Sequence, residues 1–326
     1  MTAWNAVAES VVAGVGLVAR PAGLPDGEVW FDYKARLGPR GYKYLPESCQ
    51  YLLAAAREAQ AGHPAGLAPY GEERCGVVVG TNSAVAALHA EIEQTVRSEG
   101  IGALSPMTTP FFSVNLVAAK LSTEYRLKGF NLTVTSPRVA GVEALHLAAH
   151  ELAGGRGDAV LAGATEAADP HAGRAVPESG AAVFVLRPAG TAVPPGGAVL
   201  RTALRFLPPA ALSAAAGRGR AEWIVRETLD ALCAERPERP TVPVRLVTDG
   251  SPVAELVTAA VRAWAPDRVS VPVAAPHAGA LAPVQLLAEG LRAADPGPRL
   301  VVTAAGPGNL AFALTSPAAA HDTPQT

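Results

Sequence analysis

The amino-acid sequence predicts an α/β fold, a buried parallel or mixed sheet covered by helices on both faces. Two observations predict it. Short valine-rich runs alternate with alanine-rich stretches of helical period, and strands that are apolar on both sides belong to a sheet with both faces covered. The same order of strand and helix also returns after residue 197, which predicts two α/β halves of similar build, a duplication without a residue-level repeat.

The elements follow in order. Val77-Val78-Val79 running into Gly80-Thr81 reads as a buried strand and its turn, and Ala84 to Glu99 as the next helix. Leu132 to Thr135 is a strand, Val142 to Ala153 a helix stopped by Gly154-Gly155, and Ala159 to Leu161 a strand, together a βαβ unit. Prolines at 188, 194 and 195 break the pattern between Pro188 and Gly197, as a linker or crossover does. Beyond it Glu222 to Ala234, Glu255 to Ala265 and Ala282 to Ala293 read as helices, and Val244 to Val247, Val269 to Val273 and Leu300 to Thr303 as strands. The expected organisation is a first half over 1–187, a linker over 188–197, a second half over 198–316 and a frayed polar tail over 317–326.

The 326 residues are 49% hydrophobic and 17% charged, which suits a well-cored globular chain and argues against disorder. Lys+Arg 27 against Asp+Glu 29 leaves a formal net charge of -2. No cationic surplus offers itself to a phosphate backbone, so nucleic acid is not an expected partner. Cys49, Cys75 and Cys233 are odd in number and scattered, and buried reduced thiols are favoured over a disulfide framework or a zinc site. Met1 to Ala13 has no basic residue ahead of its apolar stretch and carries Glu9, unlike a secretory signal. No apolar run approaches the ~20 residues that cross a bilayer. The expected location is the cytoplasm, with no membrane partner.

Leu127 to Ala167 reads LKGFNLTVTSPRVAGVEALHLAAHELAGGRGDAVLAGATEA: a strand, a small-residue turn with Gly141, a long alanine-rich helix, then Arg156 to Thr165 and Glu166-Ala167. This order resembles the nucleophile region of β-ketoacyl synthases of the thiolase-like superfamily, which carry a strand of the type (G/N)xxxxVSTAC and, after the helix, one of the type DGxADVxLAGGxEA. Pro177-Glu178-Ser179-Gly180-Ala181 ahead of Ala182 to Leu186 is similar to their GEGAGxxVLE strand. Ser105-Pro106 through Pro110, with Asn115-Leu116, is similar to SPxxxPxxxxNM at their dimer interface. The resemblance runs over nearly the whole chain and is strongest from Gly76 to Leu186. It implies a thiolase-like fold, two duplicated α/β halves forming a layered α-β-α-β-α core.

The chemistry of that family needs a cysteine thiolate at a helix N-terminus, which accepts the acyl chain, and two histidines that stabilise the enolate and oxyanion. Aligning TVSTACSSG on Thr133 to Gly141 puts Arg138 at the nucleophile position, and a guanidinium cannot accept an acyl group. The first histidine motif, of the type NAHGT, becomes Thr248-Asp249-Gly250-Ser251, with Asp249 in the histidine's place. The second, KxxxGHxxGAAG, corresponds to Pro272 at the lysine, Pro276-His277-Ala278, and Gly279 to Pro283. The gating loop, of the type SFGFGGxN, is reduced to Ala305-Gly306-Pro307-Gly308-Asn309 and lacks its Phe. Nucleophile, histidine, lysine and gate depart together, so the resemblance implies a site that no longer condenses.

One branch of the family has this pattern: the chain-length factor, the inactive partner of a catalytic ketosynthase in type II polyketide synthases. Arg138 replaces the glutamine of the aromatic-polyketide version, and the chain is shorter than usual, which fits the compact factors of polyene or other reduced chains. The implied partners are a catalytic ketosynthase, an acyl carrier protein met through the complex, and the growing polyketide chain, with no cofactor. By alignment Ser83 and Thr108 fall where ketosynthases close the floor of the acyl tunnel at the dimer interface. Thr109, Phe111 and Phe112 are candidates for the same lining or for plain core and interface packing.

Arg138 at a helix N-terminus is electrostatically unfavourable, so either a buried carboxylate or the dimer interface compensates it, or it fills the vacated pocket and turns to solvent or a loop carbonyl. His277 is favoured as a relic of the site over a working base, and Asp249 as the start of an Asp-Gly-Ser-Pro turn. His146 and His150 have the i, i+4 spacing of two metal ligands but no third, which favours a hydrogen-bonded structural pair. The competing functions are a degenerate acyltransferase using Ser136 with His277, disfavoured by the intervening Pro137, and a homodimeric scaffold.

Overall fold

Nearly unbroken small and β-branched residues over Ala8–Ala19 form the strand around which the molecule is organised (β1). In the computed structural model, which describes residues 6–21, 23–25, 28–62, 67–171, 178–234, 242–274 and 279–317, a short helix α1 (Tyr33–Leu37) and α2 (Glu47–Ala61) follow. Then come β2 (Cys75–Gly80), α3 (Ala86–Glu99), α4 (Leu116–Tyr125), β3 (Asn131–Val134), α5 (Ala140–Ala153), β4 (Ala159–Glu166) and β5 (Gly180–Pro188). The chain continues through β6 (Ala198–Phe206), α6 (Ala215–Leu232), β7 (Val244–Thr248), α7 (Pro252–Trp264), β8 (Val269–Ala274), α8 (Leu281–Leu291), β9 (Arg299–Ala304) and β10 (Asn309–Pro317).

The strands form one sheet in the order β3-β2-β4-β5-β1-β6-β10-β9-β7-β8. Read outward from the middle, the first half runs β1-β5-β4-β2-β3 and the second β6-β10-β9-β7-β8, the same order with every label raised by five. Within each half the outer strands pair parallel, and the strands nearer the middle antiparallel. The duplication absent from the residues is thus present in the topology. β1 joins the halves, pairing antiparallel with both β5 and β6, for example Val11 with Arg187 and with Val199.

The core divides into three clusters that match the layers. α2 and α4 cover the outer face of the first half around Leu52, Val77 and Leu161. α6 and α7 cover the second around Leu229, Val257 and Val302. Between them α5 and α8 fill the middle, with Leu145, Val284 and Phe184 fully buried. The sequence is a layered α-β-α-β-α core, as the fold class implies.

The element ends differ from the sequence reading where glycine or small residues blur the period. α6 begins at Ala215, well before Glu222, because Gly217 and Gly219 weaken a helical signal that tertiary packing restores. β4 runs on to Glu166, past Leu161, as its alanines and Gly163 fit a strand buried on both faces. Residues 189–197 carry the chain from β5 to β6, the two neighbours of β1. Of the tail, residues 318–326 lie outside the described residues. No helix among the described residues is long and apolar enough to cross a membrane.

Candidate functional site

A sharp turn follows β3, and Pro137 helps to end the strand there. Arg138 takes the left-handed conformation, φ 64°, one of two non-glycine residues among those described to do so. For an L-residue this costs about 1–2 kcal/mol, and the cost is met locally. Asn82, in the turn after β2, accepts the Arg138 N–H at 3.0 Å on Oδ1 and donates its amide to the carbonyls of Thr135 (3.1 Å) and Ser136 (3.3 Å). One side chain therefore grips both arms of the elbow.

Arg138 lies just ahead of α5, whose N-terminal dipole opposes a cation. Its guanidinium Nε stands 3.5 Å from Oδ2 of Asp249, in the loop between β7 and α7, with the two side chains 19% and 14% exposed. Asp249 also accepts the N–H of Gly306 (2.8 Å) and of Ser251 (3.1 Å). Burial pushes its carboxyl upward. The hydrogen bonds from Ser251 and Gly306, with the charge of Arg138, outweigh that and hold it below the usual carboxylate range. The positions aligned with nucleophile and first histidine thus hold opposite charges that face each other, and the shortened loop at 305–308 is tied to the second of them.

Beneath the elbow lies a denser polar cluster. Glu166, at the end of β4 and fully buried, accepts from Thr81 Oγ1 (3.2 Å), the N–H of Asn82 (2.7 Å), the N–H and Oγ of Ser83 (2.7 and 2.6 Å) and the N–H of Ala280 (2.9 Å). Glu178 takes the N–H groups of Gly279 (2.8 Å), Leu281 (3.3 Å) and Ala282 (3.0 Å). Two carboxylates therefore collect the free N–H groups at the start of α8, where the dipole favours negative charge. Backbone and carboxylate approach so closely that a Cβ on Gly279 would stand 2.7 Å from Glu166 Oε1. Gly141 is likewise required, since its Cβ would meet the Ala280 carbonyl oxygen at 2.2 Å where α5 and α8 touch.

Burial and the neighbouring charge of Glu166 raise the Glu178 carboxyl to about 7, against the pull of its backbone hydrogen bonds. The folded chain then keeps a proton that the unfolded chain releases near 4.5, so unfolding free energy should fall as pH rises between about 4.5 and about 7. Glu178→Gln should flatten that slope in urea titrations. A slope that survives the substitution would assign it to another group.

Ser83, expected on the tunnel floor, has its hydroxyl committed to Glu166 and to the Ala167 carbonyl (2.9 Å). Thr108 and Phe111 do line a cavity of about 280 Å³, together with Ala84, Ala87, Leu88 and Ala167. Thr109 closes its own turn onto the Ser105 carbonyl (2.6 Å). Phe112 is exposed and packs on His89, ring centroids 4.6 Å apart. Pro272 lies in β8, an edge strand, where a missing N–H is tolerated. His277, with Pro276 and Pro177, lies outside the described residues.

His146 and His150 hydrogen-bond each other, Nε2 to Nε2 at 3.1 Å, and His146 Nδ1 reaches Thr202 Oγ1 at 3.0 Å. The pair ties α5 to β6. All three cysteines are buried, and burial pushes the Cys49 thiol up to about 12. Sequence reasoning missed Asn82, and saw Glu166 and Glu178 only as letters of motifs. The adjacent Thr81-Asn82-Ser83 turn residues were the available signal for Asn82.

Residues 25–183 match the family described as the N-terminal domain of β-ketoacyl synthases. The chain is 28% identical over 156 residues, 48% of its length, to 3-oxoacyl-(acyl-carrier-protein) synthase 2 of Vibrio cholerae serotype O1. It spans only 37% of the length of that curated relative. Solved structures extend the likeness to almost the whole chain. The ishigamide ketosynthase/chain length factor superimposes with a TM-score of 0.64 at 22% identity, covering 96% of this chain and 99% of that one. A type II PKS ketosynthase bound to a hexaketide, in complex with its acyl-carrier protein, gives 0.70 at 16% identity, covering 95% of this chain and 100% of that one. The fold is that of the ketosynthases, thiolase-like and mixed α/β.

Proposed function

We propose that this ketosynthase-like chain is a non-catalytic chain-length factor of a type II polyketide synthase, working in the cytoplasm as the partner of a catalytic ketosynthase. The observation that carries the reading is the ion pair in the elbow. Arg138 cannot form a thioester, and Asp249, drawn to Arg138 and to the Gly306 N–H, offers no donor to an oxyanion. Loss of one group is compatible with altered chemistry. Replacement of two by a mutually satisfied pair favours a site kept for its shape.

The partner reading rests on β3. Among the described residues it pairs only with β2 and ends the sheet, and Leu132 on it is 37% exposed. Exposed Met107 and Phe112 belong to the stretch that resembles the family's interface. An open apolar edge of this kind is a liability unless another strand covers it. On this reading a ketosynthase supplies that strand and the nucleophile, the acyl carrier protein docks through the complex, and the chain is a compact factor of the kind that serves polyenes or other reduced chains.

Expressed alone, the chain should be poorly soluble or a weak homodimer; co-expressed with its ketosynthase it should elute as a 1:1 complex. A stable, monodisperse monomer in light scattering would overturn the interface. In the same preparations, radiolabelled acyl carrier protein should label the ketosynthase alone. An acyl label on this chain would defeat the non-catalytic reading.

A further inference from the structure

Four consecutive N–H groups open α8, and two carboxylates divide them. Gly279, Leu281 and Ala282 donate to Glu178, at 2.8, 3.3 and 3.0 Å, while Ala280, between them, donates to Glu166 at 2.9 Å. The two acids are interleaved on one stretch of backbone. A Cβ on Gly279 would lie 2.7 Å from an oxygen of Glu166 and 3.0 Å from one of Glu178, so both carboxylates crowd the same point. Two like charges this close and out of water are costly to hold, and one proton between them removes the repulsion. Glu166 is the worse place for that proton, since it is fully buried and five donors already point at its oxygens. Glu178 accepts three N–H groups and is half-buried, so it can take a proton from solvent and return it.

Among the described residues, the one charge that acts on Glu178 is that of Glu166. Arg138 is turned to Asp249, and Arg20, whose N–H bonds the Ser179 carbonyl, directs its guanidinium to the carbonyls of Leu24 and Pro25. Of the other acids on these elements, Asp169 accepts the His171 N–H, and Glu143 and Glu289 lie further along α5 and α8. The turn after β2 faces Glu166 with uncharged Thr81, Asn82 and Ser83, and it fixes that carboxylate in place. Glu178, by contrast, bonds only to the start of α8. That start presses on α5, where a Cβ on Gly141 would stand 2.2 Å from the Ala280 carbonyl oxygen, and α5 follows directly from the elbow, its Ala140 N–H donating to the Ser136 carbonyl at 3.1 Å. We propose that Glu166 and Glu178 are a proton-operated latch: with a proton on Glu178 they hold the first N–H groups of α8 and keep it seated against α5 beneath the elbow, and when that proton leaves for solvent, Glu178 and residues 279–282 part from Glu166 together. The motion belongs to this chain whatever partner it has.

Closing the latch takes up a proton, because burial and Glu166 raise the seated Glu178 carboxyl to about 7, while the parted one ionises near its ordinary 4.5. The seated form therefore weakens as pH rises from about 4.5 to about 7 and is level beyond that. Hydrogen exchange read by mass spectrometry, on the full chain or its 1:1 complex and corrected for the pH dependence of intrinsic exchange, follows the opening. Protection of residues 279–282 should fall by up to about tenfold per pH unit across that window. It should also lie below the protection of α5 around Leu145, because the latch opens without unfolding the core. Glu178→Gln cannot ionise and should hold the same four residues at one protection throughout. Flat protection in the native chain, a slope that survives Glu178→Gln, or protection equal to that of α5 at every pH would each overturn the latch. If Glu178→Gln does not fold, the native chain decides alone: a slope confined to 279–282 supports the latch, and a flat or global response sinks it.

Discussion

Glu166→Ala will lower the unfolding free energy by about 3–5 kcal/mol in urea titrations, against the roughly 5–15 kcal/mol that a domain has in total. Five donors lose this acceptor: Thr81 Oγ1, the Asn82 N–H, both groups of Ser83 and the Ala280 N–H, of which the Ser83 hydroxyl keeps the Ala167 carbonyl. Buried donors without an acceptor each cost about 1–3 kcal/mol, less whatever water can enter to satisfy them. The damage should not stay local. The Asn82 backbone is one of the five, and the Asn82 side chain holds Arg138 left-handed, so the elbow should relax when the carboxylate goes. Glu166→Gln keeps one acceptor oxygen and should lose less than alanine. A loss below about 1 kcal/mol for Glu166→Ala would mean that the cluster is open to solvent and that the elbow is held by other contacts.

Arg138→Cys, restoring the thiol that the resemblance expects, will not produce condensation by this chain without its partner. A cysteine alone lacks the donors that stabilise the enolate and oxyanion, since Asp249 stands at one of those positions and Pro272 at another. It also meets a carboxylate where a catalytic thiol needs a neighbouring cation, because Asp249 will have lost its counter-charge. The variant should lose about 1–3 kcal/mol of stability from the uncompensated Asp249, and adding Asp249→Asn should recover part of it. Measurable decarboxylative condensation by Arg138→Cys alone would show that Asp249 and Pro272 do not disable the site.

The parallel outer strands and their helices were legible in the sequence because each is local. Val77 to Val79 and the alanine-rich helix after Arg138 carry their own period and their own stop signals. β1 was not read as a strand, although its valines were visible, because what makes it one is pairing with β5 and β6 far along the chain. Arg138 and Asp249 were singled out by the resemblance, which aligns them with nucleophile and histidine. Their pairing was not legible. It depends on the loop after β7 reaching across to the first half, and no spacing in the chain encodes a contact between halves. Ser83 shows the same limit from the other side. It was expected on a tunnel floor, and in the structure a buried carboxylate from β4 claims its hydroxyl.

The place of β1 in the sheet has a consequence for biosynthesis. On a ribosome, β1 emerges well before both of its partners, β5 and β6, which are made only when residues 180–206 leave the exit tunnel. Throughout that interval the nascent chain carries an apolar ribbon with two open edges, and neither half of the sheet can be joined to the other. Pairings so far apart in sequence are entropically slow to form. The middle of the sheet therefore closes late, after the strands on either side of β1 have been made.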